Sequence, residues 1–223
     1  MFKYFIRTVA NAYPHFVTRL YVHLRFRIIN PIILDALLNY FRPDRKTVVL
    51  GCGFGLFDLV MGLKWPDKPI CGVDINEGRI EMARRTAKTL RLNNNDFEVL
   101  DITKSMGDLK SADEMLLLDI LHHIPHDAQA RILRVCHGLL TEGGYLIIKD
   151  IHRGSPFKLF FTWTLDMLMT KGEPVFYRNR EDLIQEIENV GFHVICLYLD
   201  DILPYPHILY VCRKKPVTHL ASE

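Results

Sequence analysis

The sequence has 223 residues, of which 49% are apolar and 24% are charged, and its formal net charge is +2. This length and composition predict a globular chain with a substantial core and exclude an intrinsically disordered protein. A net charge this small gives no ground for expecting a nucleic acid as the partner.

The N-terminal region predicts helices. Residues 1–29 show apolar residues at helical spacing on both sides of Pro14, which predicts two helices, and "PIILDALLNYF" predicts a third. Five basic residues precede the first acidic residue, Asp35, and several phenylalanines lie among them. We expect residues 1–43 to form a helical cap or lid. The stretch 1–29 could also make peripheral contact with an anionic membrane surface.

Strands and helices alternate from residue 44 onward. Continuous apolar runs predict strands at 47–50, 70–74, 97–102, 114–121, 145–151, 193–200 and 208–214. Helical patterns lie between most of them. Because strands without polar alternation are buried on both faces, this order predicts an α/β fold with a doubly wound, mostly parallel sheet.

An apolar, aromatic insertion separates the fifth predicted strand from a helix over 180–192. Residues 151–178 contain "FKLFFTWTLDMLM", and we expect them to form a lid over an apolar substrate. The helical spacing of these residues is equally typical of ordinary core, so the sequence leaves both interpretations open.

Three glycines mark the end of the first predicted strand. The stretch "TVVLGCGFGLFDLV" places Gly51, Gly53 and Gly55 where the strand becomes a helix. Such a turn directs backbone N–H groups and the positive end of a helix toward a ligand, and glycine lets that ligand approach closely. The pattern G-x-G-x-G differs from the dinucleotide fingerprint, whose third glycine would fall on Leu56.

Acidic residues end the next three predicted strands. Asp74 ends the second, Asp101 the third and Asp119 the fourth. The carboxyl ends of parallel strands form the crevice in which such sheets bind ligands. A carboxylate at Asp74 can accept hydrogen bonds from a ribose diol, and one at Asp101 can receive an adenine amino group.

The glycine pattern, followed by "GVDIN", "VLDI" and "LLLDILHHIP", resembles the class I S-adenosylmethionine-dependent methyltransferases. The match covers residues 44–151 and continues more weakly to the end, and the "LLLDILHHIP" segment is most similar to the small-molecule branch. The resemblance implies a Rossmann-like sheet of seven strands with an antiparallel last strand. It implies a donor-binding domain over 44–223 and S-adenosyl-L-methionine as the cofactor.

The resemblance also implies which residues hold the donor. They are Gly51, Cys52, Gly53 and Gly55 in the turn, Asp74 with Ile75 at the ribose, Asp101 with Ile102 at the adenine, and Asp119 nearby. The family often has an acidic residue two positions before the first glycine, which helps to position the turn or the methionine part of the donor. In this chain that position is Val49.

Histidines follow the fourth predicted strand. Methylation of oxygen usually needs a base, and the ordinary pKa of histidine suits that role. By resemblance to O-methyltransferases with an "LHDW"-like segment, His122 is the first candidate base. His152 is the second, and Asp150 could orient it. We expect His123 or His126 to have a structural role.

The predicted function is therefore O-methylation of a hydrophobic small molecule, such as a phenolic or polyketide-like acceptor. One alternative is methylation of a lipid or phospholipid headgroup at a membrane surface, and another is a binder of an adenosyl ligand without catalysis. Base-methylating enzymes would be expected to carry "NPPY"- or "DPPY"-like residues after the fourth strand. This chain has "DILHH" there, so no nucleic acid is expected as the partner.

The number and spacing of the cysteines indicate the cellular compartment. They are odd in number and lack metal-ligand spacing, which predicts reduced thiols, no metal site and a cytoplasmic protein. No apolar run reaches the roughly 18 residues of a membrane-spanning helix, and the N-terminus lacks the pattern of a secretory signal. Membrane association through residues 1–29 remains compatible with this expectation.

Overall fold

The computed structural model describes residues 2–29, 31–151, 175–199 and 207–215. Its helices are α1 (Phe2–Ala12), α2 (Phe16–Ile28), α3 (Pro31–Leu38), α4 (Leu56–Lys64), α5 (Glu77–Thr89), α6 (His126–Leu139) and α7 (Arg180–Val190). Its strands are β1 (Thr47–Leu50), β2 (Ile70–Asp74), β3 (Asn95–Val99), β4 (Ala112–Leu118), β5 (Leu140–Ile151), β6 (Phe192–Leu199) and β7 (His207–Lys214).

The seven strands form one sheet in the order β3-β2-β1-β4-β5-β7-β6. Strands β1 to β5 pair in parallel, whereas β7 runs antiparallel to both of its neighbours, β5 and β6. This confirms the predicted α/β fold with its antiparallel last strand. The strand order reverses between β1 and β4, and a sheet of this kind binds ligands beyond the carboxyl ends of the strands at that point.

Both faces of the sheet are covered. Val49 of β1 and Leu116 of β4 pack into a core with the N-terminal helices, α4 and α5. Their neighbours along the strands, Val48 and Leu117, pack into a second core with α6 and α7. Because successive side chains of a strand point to opposite faces, the continuous apolar runs supply both cores at once.

The N-terminal helices are held against the glycine turn. The hydroxyl of Tyr13 donates a hydrogen bond to the carbonyl oxygen of Phe54 at 2.7 Å. The ring of Tyr21 in α2 packs on the ring of Phe54, with 5.2 Å between their centroids. The helices thus share the core of the sheet, and the boundary between residues 43 and 44 stays a prediction.

Several predicted boundaries were wrong. Strand β4 ends at Leu118, so Asp119 follows the strand that it was predicted to end. Strand β3 ends at Val99, so Asp101 and Ile102 lie in the turn that follows it rather than in the strand.

Strand β5 begins at Leu140, directly after α6, and not at residue 145 as predicted, so it includes Gly143 and Gly144. A Cβ on Gly144 would lie 2.9 Å from the carbonyl oxygen of Asp113, so glycine at this position permits the close approach of β4.

Most of the insertion over 151–178, together with the candidate base His152, lies outside the described residues. None of the described helices combines the length and the apolar character that crossing a membrane requires.

Candidate active site

A cavity of about 440 Å³ opens at the carboxyl edge of the sheet, between the ends of β1, β2 and β4 and helix α2. It brings together His122 and every residue of the predicted cofactor site except Gly55. Those lining residues are Gly51, Cys52, Gly53, Asp74, Ile75, Asp101, Ile102 and Asp119. The sequence therefore located the cavity, although the role of each residue stays a prediction.

The glycines of the turn differ in their surroundings. Gly53 has a φ of 58°, and a Cβ built on it would meet no atom of the protein within 4 Å. Its backbone therefore faces open space in the cavity. Gly55 also has a positive φ, but a Cβ there would lie 2.6 Å from the ring of Phe97. Gly55 thus serves packing beneath the turn, whereas Gly53 leaves room for a ligand.

Asp74 ties the glycine turn to the end of β2. One carboxylate oxygen accepts a hydrogen bond from the backbone N–H of Gly53 and the other from that of Asn76, both at 2.9 Å. Each carboxylate oxygen has a second lone pair, so Asp74 retains the capacity to accept hydroxyl groups. The residue predicted to bind a ribose therefore also shapes the turn beside it.

Asp101 is held by the turn after β3. Its Oδ1 accepts hydrogen bonds from the hydroxyl of Thr103 at 2.6 Å and from the backbone N–H of the same residue at 3.0 Å. The Thr103 hydroxyl is the main cause of the lowered pKa of Asp101. Asp101 is consequently an ionised acceptor at the rim of the cavity.

Asp119 joins three elements by ion pairs. Its carboxylate lies 2.7 Å from the guanidinium of Arg25 in α2, and its other oxygen contacts the ammonium of Lys149 in β5. Lys149 is fully buried. Burial raises the pKa of Asp119, but Lys149 and Arg25 outweigh that effect and hold the pKa far below its usual range. Asp119 thus anchors the cap to the sheet.

His122 and Asp150 form a buried pair beside the cavity. The backbone N–H of His122 donates to Asp150 Oδ2 at 3.1 Å, and the Nδ1 atom of its ring contacts Asp150 Oδ1. Asp150 was expected to orient His152, which lies outside the described residues; among the described ones it pairs with His122. The contact favours a proton on Nδ1, which makes Nε2 the nitrogen that can take up a proton.

The neighbouring histidines differ from His122. The ring of His123 lies 4.1 Å from that of His122, between centroids, and also lines the cavity. Burial, with the His122 ring close by, lowers the pKa of His123 to about 4, so this imidazole is neutral near pH 7. His126 is exposed at the start of α6, where its Nε2 lies 3.4 Å from the carbonyl oxygen of Phe176.

Sequence reasoning missed four charged residues of this cavity: Arg25, Asp58, Arg79 and Lys149. Lys149 and Asp58 each interrupt an apolar stretch, "YLIIKDI" and "LFDLV", where a single charge signals a buried polar group. Arg25 carried no comparable signal, because several basic residues surround it in sequence.

Comparison with known proteins shows similarity to methyltransferases. A family model described as a methyltransferase domain matches residues 43–194. A ubiquinone biosynthesis O-methyltransferase from Coxiella burnetii is 32% identical over 127 residues, which are 56% of this chain and 52% of that protein. The chain thus spans about half the length of the curated relatives it matches.

Solved structures share the architecture. An O-methyltransferase family protein from Burkholderia thailandensis superposes with a TM-score of 0.70 and 17% identity, over 91% of this chain and 61% of that protein. Magnesium protoporphyrin IX methyltransferase from Synechocystis, solved with bound SAH, gives a TM-score of 0.66 and 15% identity, over 90% and 88%. At these identities the likeness establishes the Rossmann-like fold.

Proposed function

This chain belongs to the class I S-adenosylmethionine-dependent methyltransferases, and from that premise we propose that it methylates an oxygen atom of a hydrophobic small molecule. The acceptor class that the site suits is a phenolic or polyketide-like compound. The observation that carries the proposal is a buried His122–Asp150 pair, of which the histidine lines the same cavity as the glycine turn.

The residues present fit the donor of this family. Gly53 offers open backbone, and carboxylate oxygens are offered by Asp74 at the end of β2 and by Asp101 in the turn after β3. When bound, S-adenosylmethionine supplies an electrophilic methyl group on a sulfonium. The part of the protein is to hold the acceptor oxygen in line with that methyl group and to exclude water.

His122 is the proposed general base. Asp150 orients the ring through Nδ1, so that Nε2 receives the proton of the acceptor hydroxyl. The positive charge that forms on the imidazole then lies beside the Asp150 carboxylate. Tyr21 and Phe26 of α2 line the cavity with apolar surface, which favours an aromatic or aliphatic acceptor.

The proposal is tested by turnover. The protein is incubated with S-adenosylmethionine and a panel of catechols, simple phenols and hydroxylated polyketides, and S-adenosylhomocysteine and methylated product are quantified by mass spectrometry. We expect equal amounts of both with at least one oxygen acceptor. Donor binding by calorimetry without turnover on the whole panel would favour the binder without catalysis.

A second candidate function is methylation of a lipid or a phospholipid headgroup, and the outer face of α2 favours it. Phe16, Val17, Leu20 and Leu24 are exposed there, with Phe16 at 77% and Leu20 at 60%. Exposed Arg19 and Arg27 lie on the same helix, which has no acidic residue. A basic helix with exposed apolar residues is suited to the surface of an anionic bilayer.

Sedimentation with vesicles tests this second candidate. The full chain is mixed with phosphatidylglycerol-containing or purely zwitterionic vesicles at low salt. We expect binding to the anionic vesicles alone, and its loss in the double variant Leu20→Glu/Leu24→Glu. The control is Val135→Glu, an exposed apolar position on α6. Absence of binding by the unaltered chain would rule the membrane surface out.

A further inference from the structure

Asp58 is an unexplained acid in the donor cavity. It lies in the first turn of α4 and is fully buried, yet it lines the cavity. Among the described residues, neither of its carboxylate oxygens has a hydrogen-bond partner. Buried polar groups are nearly always hydrogen-bonded, and an unsatisfied one destabilises the fold. Asp58 therefore calls for a partner that folding alone does not supply.

The carboxyl group lies under the glycine turn. A Cβ built on Gly72 of β2 would come within 2.5 Å of Asp58 Oδ1 and within 2.9 Å of Cys52 Sγ. Gly72 pairs in register with Val49 of β1, so Asp58 approaches the sheet beside that apolar side chain. Glycine at 72 thus makes room for the carboxyl group in the layer below the turn.

The titratable groups that face Asp58 include no cation among the described residues. They are Tyr13 at the end of α1, Cys52 in the turn, Cys71 in β2 and Asp74 at the end of β2. Burial is the main cause that raises the pKa of Asp58 to about 8; the residue's own backbone N–H opposes this rise, and the Asp74 carboxylate adds to it. An ionised Asp58 would therefore have no positive charge to balance it among these groups.

We propose that Asp58 receives the ammonium group of the methionine portion of the donor. S-adenosylmethionine carries two positive centres, and its sulfonium methyl must face the acceptor. The ammonium group is then the cation that can approach Asp58 below the glycine turn, and it has three N–H donors. The inference rests on the donor of the family and is independent of the proposed acceptor.

Binding measurements with Asp58→Asn test the proposal, because asparagine keeps the shape and removes the charge. The ligands are S-adenosylmethionine, S-adenosylhomocysteine and 5′-methylthioadenosine, which has no amino-acid portion. We expect the affinity for the first two to fall at least tenfold and that for methylthioadenosine to change less than twofold. The control is Asp35→Asn, an exposed acid on α3.

A proton count provides a second readout. Since the carboxyl group of Asp58 is largely protonated at pH 7 and the ammonium group favours its ionised form, donor binding should release a proton. Calorimetry in buffers of different ionisation enthalpy measures that release. We expect it in the unaltered chain with S-adenosylhomocysteine, and neither in Asp58→Asn nor with methylthioadenosine.

Two results would overturn the proposal. One is an unchanged affinity of Asp58→Asn for S-adenosylhomocysteine. The other is an equal loss of affinity for S-adenosylhomocysteine and methylthioadenosine, since that would make Asp58 a support of the turn alone. Neither result depends on methyl transfer, so a failure to find an oxygen acceptor leaves the proposal standing.

Discussion

The two edges of the sheet both bury charge, but in opposite ways. At the amino edge, Lys68 and Glu114 form a fully buried ion pair with 2.6 Å between Nζ and Oε2. At the carboxyl edge, the buried Asp58 and the partly buried Asp119 line a cavity, and the buried Asp150 lies beside it. The first cluster is closed, whereas the second lines open space.

The amino-edge cluster is complete within the protein. Glu114 also accepts hydrogen bonds from the Thr47 hydroxyl at 2.8 Å and the Tyr145 hydroxyl at 3.0 Å. Lys68 donates further hydrogen bonds to the carbonyl oxygens of Arg42 and Arg45, each at 2.6 Å. Such a satisfied network stabilises a unique core and has nothing left to offer a ligand.

The carboxyl-edge groups are unequally satisfied. Asp119 has two cationic partners, Asp150 has the His122 ring, and Asp58 has no hydrogen-bond partner among the described residues. This gradation separates a structural anchor from a candidate base and a candidate ligand site. A buried charged group that lacks hydrogen-bond or ion-pair partners therefore indicates a functional site, whereas one with all its partners stabilises the fold.

The largest expected effect is the loss of stability when the buried Lys68–Glu114 ion pair is broken. Glu114→Gln leaves the Lys68 ammonium buried without a counterion, and breaking a buried pair in this way costs about 4 kcal/mol. Urea unfolding followed by circular dichroism measures the free energy of unfolding. Donor affinity of the folded protein should stay within twofold of the unaltered chain.

The double variant Lys68→Met/Glu114→Leu is the control, because it removes both charges together. We expect it to recover most of the stability that Glu114→Gln loses. If Glu114→Gln lowers the free energy of unfolding by less than about 1 kcal/mol, Lys68 does not depend on Glu114 as a buried counterion. The contrast between the two clusters would then fail.

His122→Ala should have the next largest effect, now on turnover. A positioned general base contributes about 10²- to 10⁴-fold to a rate, so we expect kcat to fall at least a hundredfold. The measurement uses saturating S-adenosylmethionine and a catechol acceptor found in the turnover panel. Donor affinity should not change, because the ring is assigned to the acceptor.

His126→Ala is the matched control for that measurement, since His126 is exposed and lies outside the cavity lining. It should turn over at nearly the unaltered rate. Activity of His122→Ala within threefold of the unaltered chain would remove His122 as the base and return the assignment to His152.

Asp119→Asn tests whether Asp119 is a structural anchor, because its effect on stability should depend on pH differently from that of Asp58→Asn. Removing the charge costs about 2 kcal/mol at pH 7, because Lys149 and Arg25 lose their shared partner. Asparagine tolerates the φ of 51° at this position, so the backbone is preserved. The variant therefore isolates the ion pairs.

The sign of the pH effect follows from the lowered pKa of Asp119. The stabilisation by its charge is present above the unfolded-state pKa of about 3.9 and is lost as the pH falls toward the folded-state pKa. Urea unfolding between pH 3 and 8 should show a constant gap above about pH 5 that narrows below pH 4. For Asp58, whose folded-state pKa is raised, the unaltered chain loses stability as the pH rises from 4 to 8, so Asp58→Asn should become more stable relative to it over that range. Equal pH slopes for the two variants, each relative to the unaltered chain, would contradict the distinction.

Local sequence patterns were sufficient for most of the fold and for the place of the cavity. The strands at 47–50 and 70–74 have the predicted ends, and Gly53 and Asp74 lie together as expected. These features depend on apolar periodicity and on short turns, which are local properties of the chain. The resemblance to known methyltransferases added the number of strands and the antiparallel direction of the last one.

The partners across the cavity could not be predicted. Arg25 and Asp119 are 94 residues apart, and Asp150 pairs with His122, which lies 28 residues before it. Such pairs depend on which strands become neighbours and on how α2 lies over the sheet. Neither a period nor a spacing in the sequence contains that information.

Gly53→Ala has the smallest expected effect on stability, and its comparison with Gly55→Ala distinguishes the two roles of glycine within the turn. A positive φ costs alanine about 1 kcal/mol, and no protein atom lies near the new methyl group. Gly55→Ala pays the same backbone cost and also meets the ring of Phe97 at 2.6 Å, so it should lose more stability. For S-adenosylhomocysteine, however, calorimetry should give at least a tenfold loss of affinity in folded Gly53→Ala and a smaller loss in Gly55→Ala. The reverse order would mean that the space beside Gly53 is not where the donor lies, because a methyl group in a ligand site obstructs the ligand while one in a packed layer obstructs the fold.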